Sequence, residues 1–329
     1  MVIVKKFEQM KVIYLDQFVV RKCFCPDANE PHKAFFQNVA SICMKLARKQ
    51  EASFPFSESH LRETSTVADP KQRESLIKGF QTLSNGYQFI PHARILAQQA
   101  KAVLNASPID WSARSVLFRD SLMDFRQQVD STDIPDRNRH HDMLQWLFVQ
   151  WQELPKPMFD SIAQREADTY GNLLQRDIAK MFQGDPRDTL NLLASPHCEL
   201  FSEISWNLAE SGSADPAMEA FLFVRDRAME IPSIRLASDL WASFAKSRRR
   251  DLDKTKNPAN TAEDIHFVSC FVPYCDAAFV DTGMSALLME SKLMTSHKTA
   301  IFSLNDQAEF LKYLALAPRM IFGRKVSVR

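Results

Sequence analysis

The chain has 329 residues, 45% of them hydrophobic, and 41 Lys plus Arg against 40 Asp plus Glu give a net charge of +1. A chain of this size can bury a core without staples, and the charge balance excludes a polycationic tail while leaving room for a local basic groove. No apolar run reaches the roughly 18 residues of a membrane span, and six cysteines in so long a chain make no disulfide framework.

The N-terminus does not read as a signal peptide, because Lys5, Lys6 and Glu8 interrupt its apolar start. A reduced, cytoplasmic setting is therefore expected. Val12 to Leu15, in KVIYLDQFVV, are apolar on both faces and predict a buried strand of the parallel type. Asp16 follows directly, and an unpaired carboxylate is costly among such neighbours, so it needs a purpose. Cys23 and Cys25 form a C-x-C pair, but no second pair at zinc spacing follows.

Lys33 to Gln50 carry Phe36, Val39, Ile42, Cys43 and Leu46 at helical spacing. Phe54-Pro55-Phe56 then reads as a second short strand running into Ser57, an N-cap for a helix containing Leu61 and Glu63. Strand, helix, strand, helix marks an α/β unit.

From about residue 70 to 250 the periodicity predicts helices almost throughout, among them Val116 to Val129, Met143 to Leu154, Ile162 to Phe182 and Ala217 to Met229. Prolines such as Pro155, Pro196, Pro216 and Pro232 punctuate them, and no fixed-period repeat is visible. The five tryptophans fall in these stretches; Trp146 and Trp151 could stack bases, although core packing explains them as well. His140-His141-Asp142 has no second cluster to complete a metal site and reads as an exposed helix start. Lys246, Arg248, Arg249, Arg250, Lys254 and Lys256 form a basic run, suited either to a phosphate backbone or to a solvated helix end.

After residue 260 strand signals return. Asp264 is expected to open a helix over Ile265 to Val272 that Pro273 ends. Asp276 precedes a buried strand, Ala277 to Val280, and Asp281 ends it just before a helix with Met284 and Leu287. Ala300 to Ser303 read as a further strand. Ligands of parallel α/β sheets bind outside the carboxyl ends of the strands, and several carboxylates gathered there repel one another unless a hard cation sits among them.

In three places the chain resembles the PIN-like nuclease superfamily: YLD at Tyr14 to Asp16, FSESHLRE at Phe56 to Glu63, and the late segment running from Asp264 through Asp276 to Asp281. It departs from the pattern at Gln17 and Phe18, where many members have Thr or Ser and then Asn. The resemblance covers about residues 10–65 and 258–310 and implies an α/β PIN-like core, residues 1–69 and 258–329, with a large helical insertion over 70–257.

It further implies that Asp16, Glu63, Asp264 and Asp281 hold one or two Mg²⁺ or Mn²⁺ ions, with Asp276 as a fifth ligand or a neighbour of the ligands. The implied activity is phosphodiester hydrolysis, on RNA rather than DNA by family analogy, in the setting of a toxin or antiphage effector. Arg248, Arg249, Arg250 and Lys254 would then face the nucleic acid, as would His60 where it lines the cleft. His60 could also pack near the strand ends, or pair as a ligand with Glu63 three residues on. A structure-specific DNA nuclease and a catalytically silent partner-binding protein stay open, as do an antitoxin or other protein partner and self-association. These acids also have plainer explanations: Asp264 as a helix-start acid, Glu63 on a solvated helix face, Asp281 as a cap and Asp276 as a turn acid.

Overall fold

The computed structural model describes residues 10–27, 29–119, 125–130, 196–248, 258–291, 294 and 296–320. In chain order the first elements are β1 (Lys11–Leu15), α1 (Gln17–Phe24), α2 (Lys33–Lys49), β2 (Ala52–Ser53), α3 (Glu58–Ser65), α4 (Pro70–Ser84) and β3 (Tyr87–Phe89). Next come α5 (His92–Leu104), α6 (Ala113–Val116), β4 (Leu117–Arg119), α7 (Phe125–Asp130), α8 (Pro196–Glu210), α9 (Pro216–Arg227), α10 (Pro232–Arg248) and α11 (Pro258–Phe271). β5 (Ala277–Phe279), α12 (Thr282–Glu290), β6 (Ala300–Phe302) and α13 (Gln307–Met320) follow.

The chain divides into two units. One comprises Met1–Ile90, Trp111–Pro135 and Phe271–Arg329, and the other Pro91–Asp110 and Asp136–Cys270. All the described strands belong to the first unit.

The α/β character of that unit rests on a four-stranded parallel sheet of order β2-β1-β5-β6. β1 has a strand on each edge, and Val12 to Leu15 are buried on both faces, as in a covered parallel sheet. Alternation along the strands sends Ile13, Leu15, Ala277 and Phe279 into one core cluster with Val19, Phe36, Val39, Leu46 and Phe310. Phe279 is fully buried there, 4.7 Å from the Phe310 ring and 5.8 Å from Phe35. The amphipathic α2 supplies much of this layer through Phe35, Phe36, Val39, Cys43 and Leu46, and ends where Gln50 turns left-handed at φ 56.

Several boundaries differ from the expectation. The second strand pairs at Ala52–Ser53, with Phe56 making only an isolated bridge to Gln88, because Pro55 has no N–H to give a ladder. Leu117–Arg119 form a strand antiparallel to β3 rather than the start of the helix expected over Val116 to Val129, so residues 70–130 are not wholly helical. α4 belongs to the sheet-bearing unit, since Leu76, Ile77, Phe80 and Leu83 enter its core, whereas residues 258–270 belong to the helical unit.

In the helical unit Pro196, Pro216 and Pro232 each start a helix, where a missing N–H costs nothing. α8 packs on α5 and α9. Buried Gln99 of α5 is satisfied at both ends by Ser233, which donates its N–H to Oε1 at 2.9 Å while its Oγ accepts from Nε2 at 2.8 Å. The stretches expected as helices at 143–154 and 162–182, with Trp146 and Trp151, lie outside the described residues, as does His140-His141-Asp142. No helix among the described residues is long and apolar enough to cross a membrane.

Candidate functional site

The strand order places a topological switch between β1 and β5: the chain moves from β1 outward to β2, then returns past β1 to β5 and on to β6. Crevices outside the carboxyl ends of strands at such a point bind ligands in open α/β sheets. Asp16 directly follows β1, and Asp281 stands two residues beyond β5. The register pairs Leu15 with Phe279, and the Asp16 N–H donates to the Phe279 carbonyl at 3.0 Å, which fixes the two acids at neighbouring strand ends.

Both aspartates also cap the helix that follows. Asp16 Oδ1 accepts from the Phe18 N–H at 3.0 Å, and Asp281 Oδ1 accepts from Gly283 at 2.7 Å and Met284 at 3.0 Å. The Oδ2 of neither carboxylate accepts a hydrogen bond from any described residue. Burial pushes the pKa of Asp16 up to about 7; the Phe18 N–H opposes this, and the nearby Asp281 charge adds to it. The residue as a whole is only half-buried, so its environment is crowded without full enclosure.

Three N-caps line this edge. Ser303, directly after β6, accepts from the Asn305 N–H at 3.3 Å, while its own N–H and hydroxyl donate to Asp306 Oδ2 at 3.0 and 2.9 Å. The amino ends of α1, α12 and the turn leading into α13 therefore gather at the carboxyl edge of the sheet, giving a positive backbone field around two acidic side chains. The S-x-x-D spacing after an apolar AIF run is the signal by which this third cap could have been read.

Glu63 lies on α3, which packs at the same end of β1. His60, one turn earlier, stacks on Tyr14 with ring centroids 5.4 Å apart, and Thr64 Oγ1 donates to Gln17 Oε1 at 3.4 Å. Among the described residues no three His, Cys, Asp or Glu side chains converge closely enough to surround an ion, so Glu63 does not complete a cage with the two aspartates.

The other expected residues are placed differently. Asp276 sits at the opposite, amino end of β5, with Oδ1 2.6 Å from Lys11 Nζ and Oδ2 accepting from the Val12 N–H at 2.9 Å. Three strand residues, about 10 Å, separate it from the carboxyl edge, and its charge is already matched there. Asp264 lies inside α11 in the helical unit instead of opening the helix, so the helix-start explanation for it fails.

His60 cannot face a nucleic acid, because it is 1% exposed between Tyr14 and Phe80. Its Nδ1 accepts from the Ser57 N–H at 3.0 Å, which locks the start of α3. Burial lowers its pKa to about 3 against a smaller pull upward from the Leu15 backbone, although Nε2 has no hydrogen-bond partner within range among the described residues.

Arg248 ends α10, while Arg249, Arg250, Lys254 and Lys256 lie outside the described residues. Cys23 and Cys25 donate to the Phe36 and Gln72 carbonyls at 3.4 Å. Burial raises both thiols, Cys23 to about 12, which keeps them protonated and poor metal ligands. Comparison of the chain with family models, with curated proteins and with solved structures finds no match in any of the three.

Proposed function

We propose that the carboxyl edge of the sheet is the metal centre of a PIN-like nuclease that hydrolyses phosphodiester bonds, with RNA as the substrate by family analogy. The observation that carries this reading is the pair Asp16 and Asp281, held at adjacent strand ends of a topological switch with one oxygen of each spared from capping. Two carboxylates with spare oxygens fit a hard divalent cation such as Mg²⁺ or Mn²⁺, which takes few protein ligands and keeps several waters.

Asp16 and Asp281 would hold the ion, and Glu63, on a helix docked at the end of β1, would orient its waters. Asp264 enters this reading through the resemblance alone. When bound, the ion supplies an activated water and charge stabilisation at the leaving oxygen. The chain itself contributes the converging amino ends of α1 and α12, which favour a phosphate beside the acids.

A second reading has a specific observation behind it: the three cap hydrogen bonds of Asp16 and Asp281 give both acids a purely structural use. Incubating the pure protein with labelled single-stranded RNA, single-stranded DNA and duplex DNA, in Mn²⁺ or in EDTA, separates the two. Cleavage should need the metal and fall by orders of magnitude in Asp16→Asn and Asp281→Asn variants that still fold. Cleavage that persists in EDTA would overturn the metal mechanism. Substrate left intact under every condition would favour the structural use.

A further inference from the structure

Gln17 is a buried amide, 6% exposed, immediately after Asp16 and at the first position of α1. A polar side chain in that place carries a desolvation cost unless it has a partner. Its Oε1 accepts from Thr64 Oγ1, on a residue with no exposed surface, across a separation of 47 residues. Thr64 adjoins Glu63, and the next inward turn of α3 is fixed independently by the stacking of His60 on Tyr14 and by the Ser57 N–H on His60 Nδ1. Glu63 stands four residues after buried Ser59 and three after buried His60, so it flanks the inward face of α3 and not the solvent face.

We propose that the Gln17–Thr64 hydrogen bond is a positioning tie: it sets the distance between α3 and the end of β1, and so places Glu63 relative to Asp16. The proposal rests on the metal reading of the Asp16–Asp281 edge. Gln17 and Thr64 touch neither ion nor substrate and act through Glu63. The contact, 3.4 Å, is at the long end of hydrogen-bond range.

The test uses Gln17→Met and Thr64→Val, which remove the hydrogen bond at nearly constant volume, together with Thr64→Ser, which keeps the hydroxyl. Mn²⁺ affinity is measured by titration calorimetry on the full chain, and the melting temperature is recorded without metal. Each disrupting variant should weaken Mn²⁺ binding about tenfold, in the range of groups that orient metal ligands. The double variant should be no weaker than either single one, and Thr64→Ser should bind like the parent.

In a Glu63→Gln background, Gln17→Met should have no further effect, because the residue through which it acts is already lost. Unchanged affinity in folded Gln17→Met and Thr64→Val, with only the melting temperature lowered, would overturn the tie while leaving the metal reading intact. Unchanged affinity in Asp16→Asn and Asp281→Asn would instead overturn the metal reading, and the tie with it.

Discussion

Asp16 joins two opposing demands: it caps α1, and it stands beside Asp281 where burial resists its charge. Its folded pKa, about 7, lies above the ordinary 3.8, so the folded state holds this proton more tightly than the unfolded chain does. The stability this gives is complete below about pH 4 and is lost as the pH rises through 7. Asp16→Asn keeps an acceptor for the Phe18 N–H but carries no charge. Without metal it should melt higher than the parent at pH 8 and no differently near pH 4, a contrast that calorimetry in chelator would read. Gly283 shows the same economy of space. A Cβ there would stand 3.1 Å from Asp281 Oδ1, so Gly283→Ala should displace the cap and cost about 1 kcal/mol in denaturant melts, although alanine is the better helix former. Both aspartates were legible in the sequence, because an apolar run ending in Asp before a helical pattern is a local signal. His60 was legible only in part: packing near the strand ends was one of its readings, but its partners Tyr14 and Phe80 are not announced by its own neighbourhood.

At the scale of elements, β1, β5, β6 and the helix over 33–49 could be read from unbroken apolar or helical patterns. The second strand, expected at Phe54 to Phe56, pairs instead at Ala52–Ser53, two small residues with no apolar signal. The segment 117–119 could not be read, because its apolar spacing suits helix or strand and its pairing with β3 decides the matter. Asp276 stayed open between a ligand and a turn acid for a related reason: the lysine that matches its charge lies 265 residues away. The packing of α1 on α4 yields a further expectation. A Cβ at Gly79, mid-helix in α4, would meet Phe24 Cδ2 at 2.8 Å and Cγ at 2.9 Å, atoms near the root of the ring that cannot swing aside. Gly79→Ala should therefore destabilise the protein by about 1–3 kcal/mol, against the roughly 1 kcal/mol that helix propensity alone would add. Chemical denaturation of the variant gives the sign directly.

For the molecule as a whole, an ion bound only by the folded state should stabilise it. Mn²⁺ at a hundred times its dissociation constant contributes about 2.7 kcal/mol, enough to raise the melting temperature by a few degrees, and the gain should vanish in Asp281→Asn. Thermal melts with and without Mn²⁺ would check this. The two-unit organisation was visible in the sequence only as a change of pattern, because the chain leaves the sheet-bearing unit and returns to it more than once. That return has a consequence for biosynthesis. β1 meets β2 soon after both are made, but its other edge has no partner until β5 emerges, with contacts such as Lys11 to Asp276 spanning 265 residues. At about 5–20 residues per second, a ribosome takes roughly 13–50 s to cover that gap. Throughout that interval the nascent chain presents an apolar strand edge to chaperones and to other nascent chains. Asp16 waits equally long for Asp281, so the proposed centre cannot act on nucleic acid near the ribosome until the closing strands have been made.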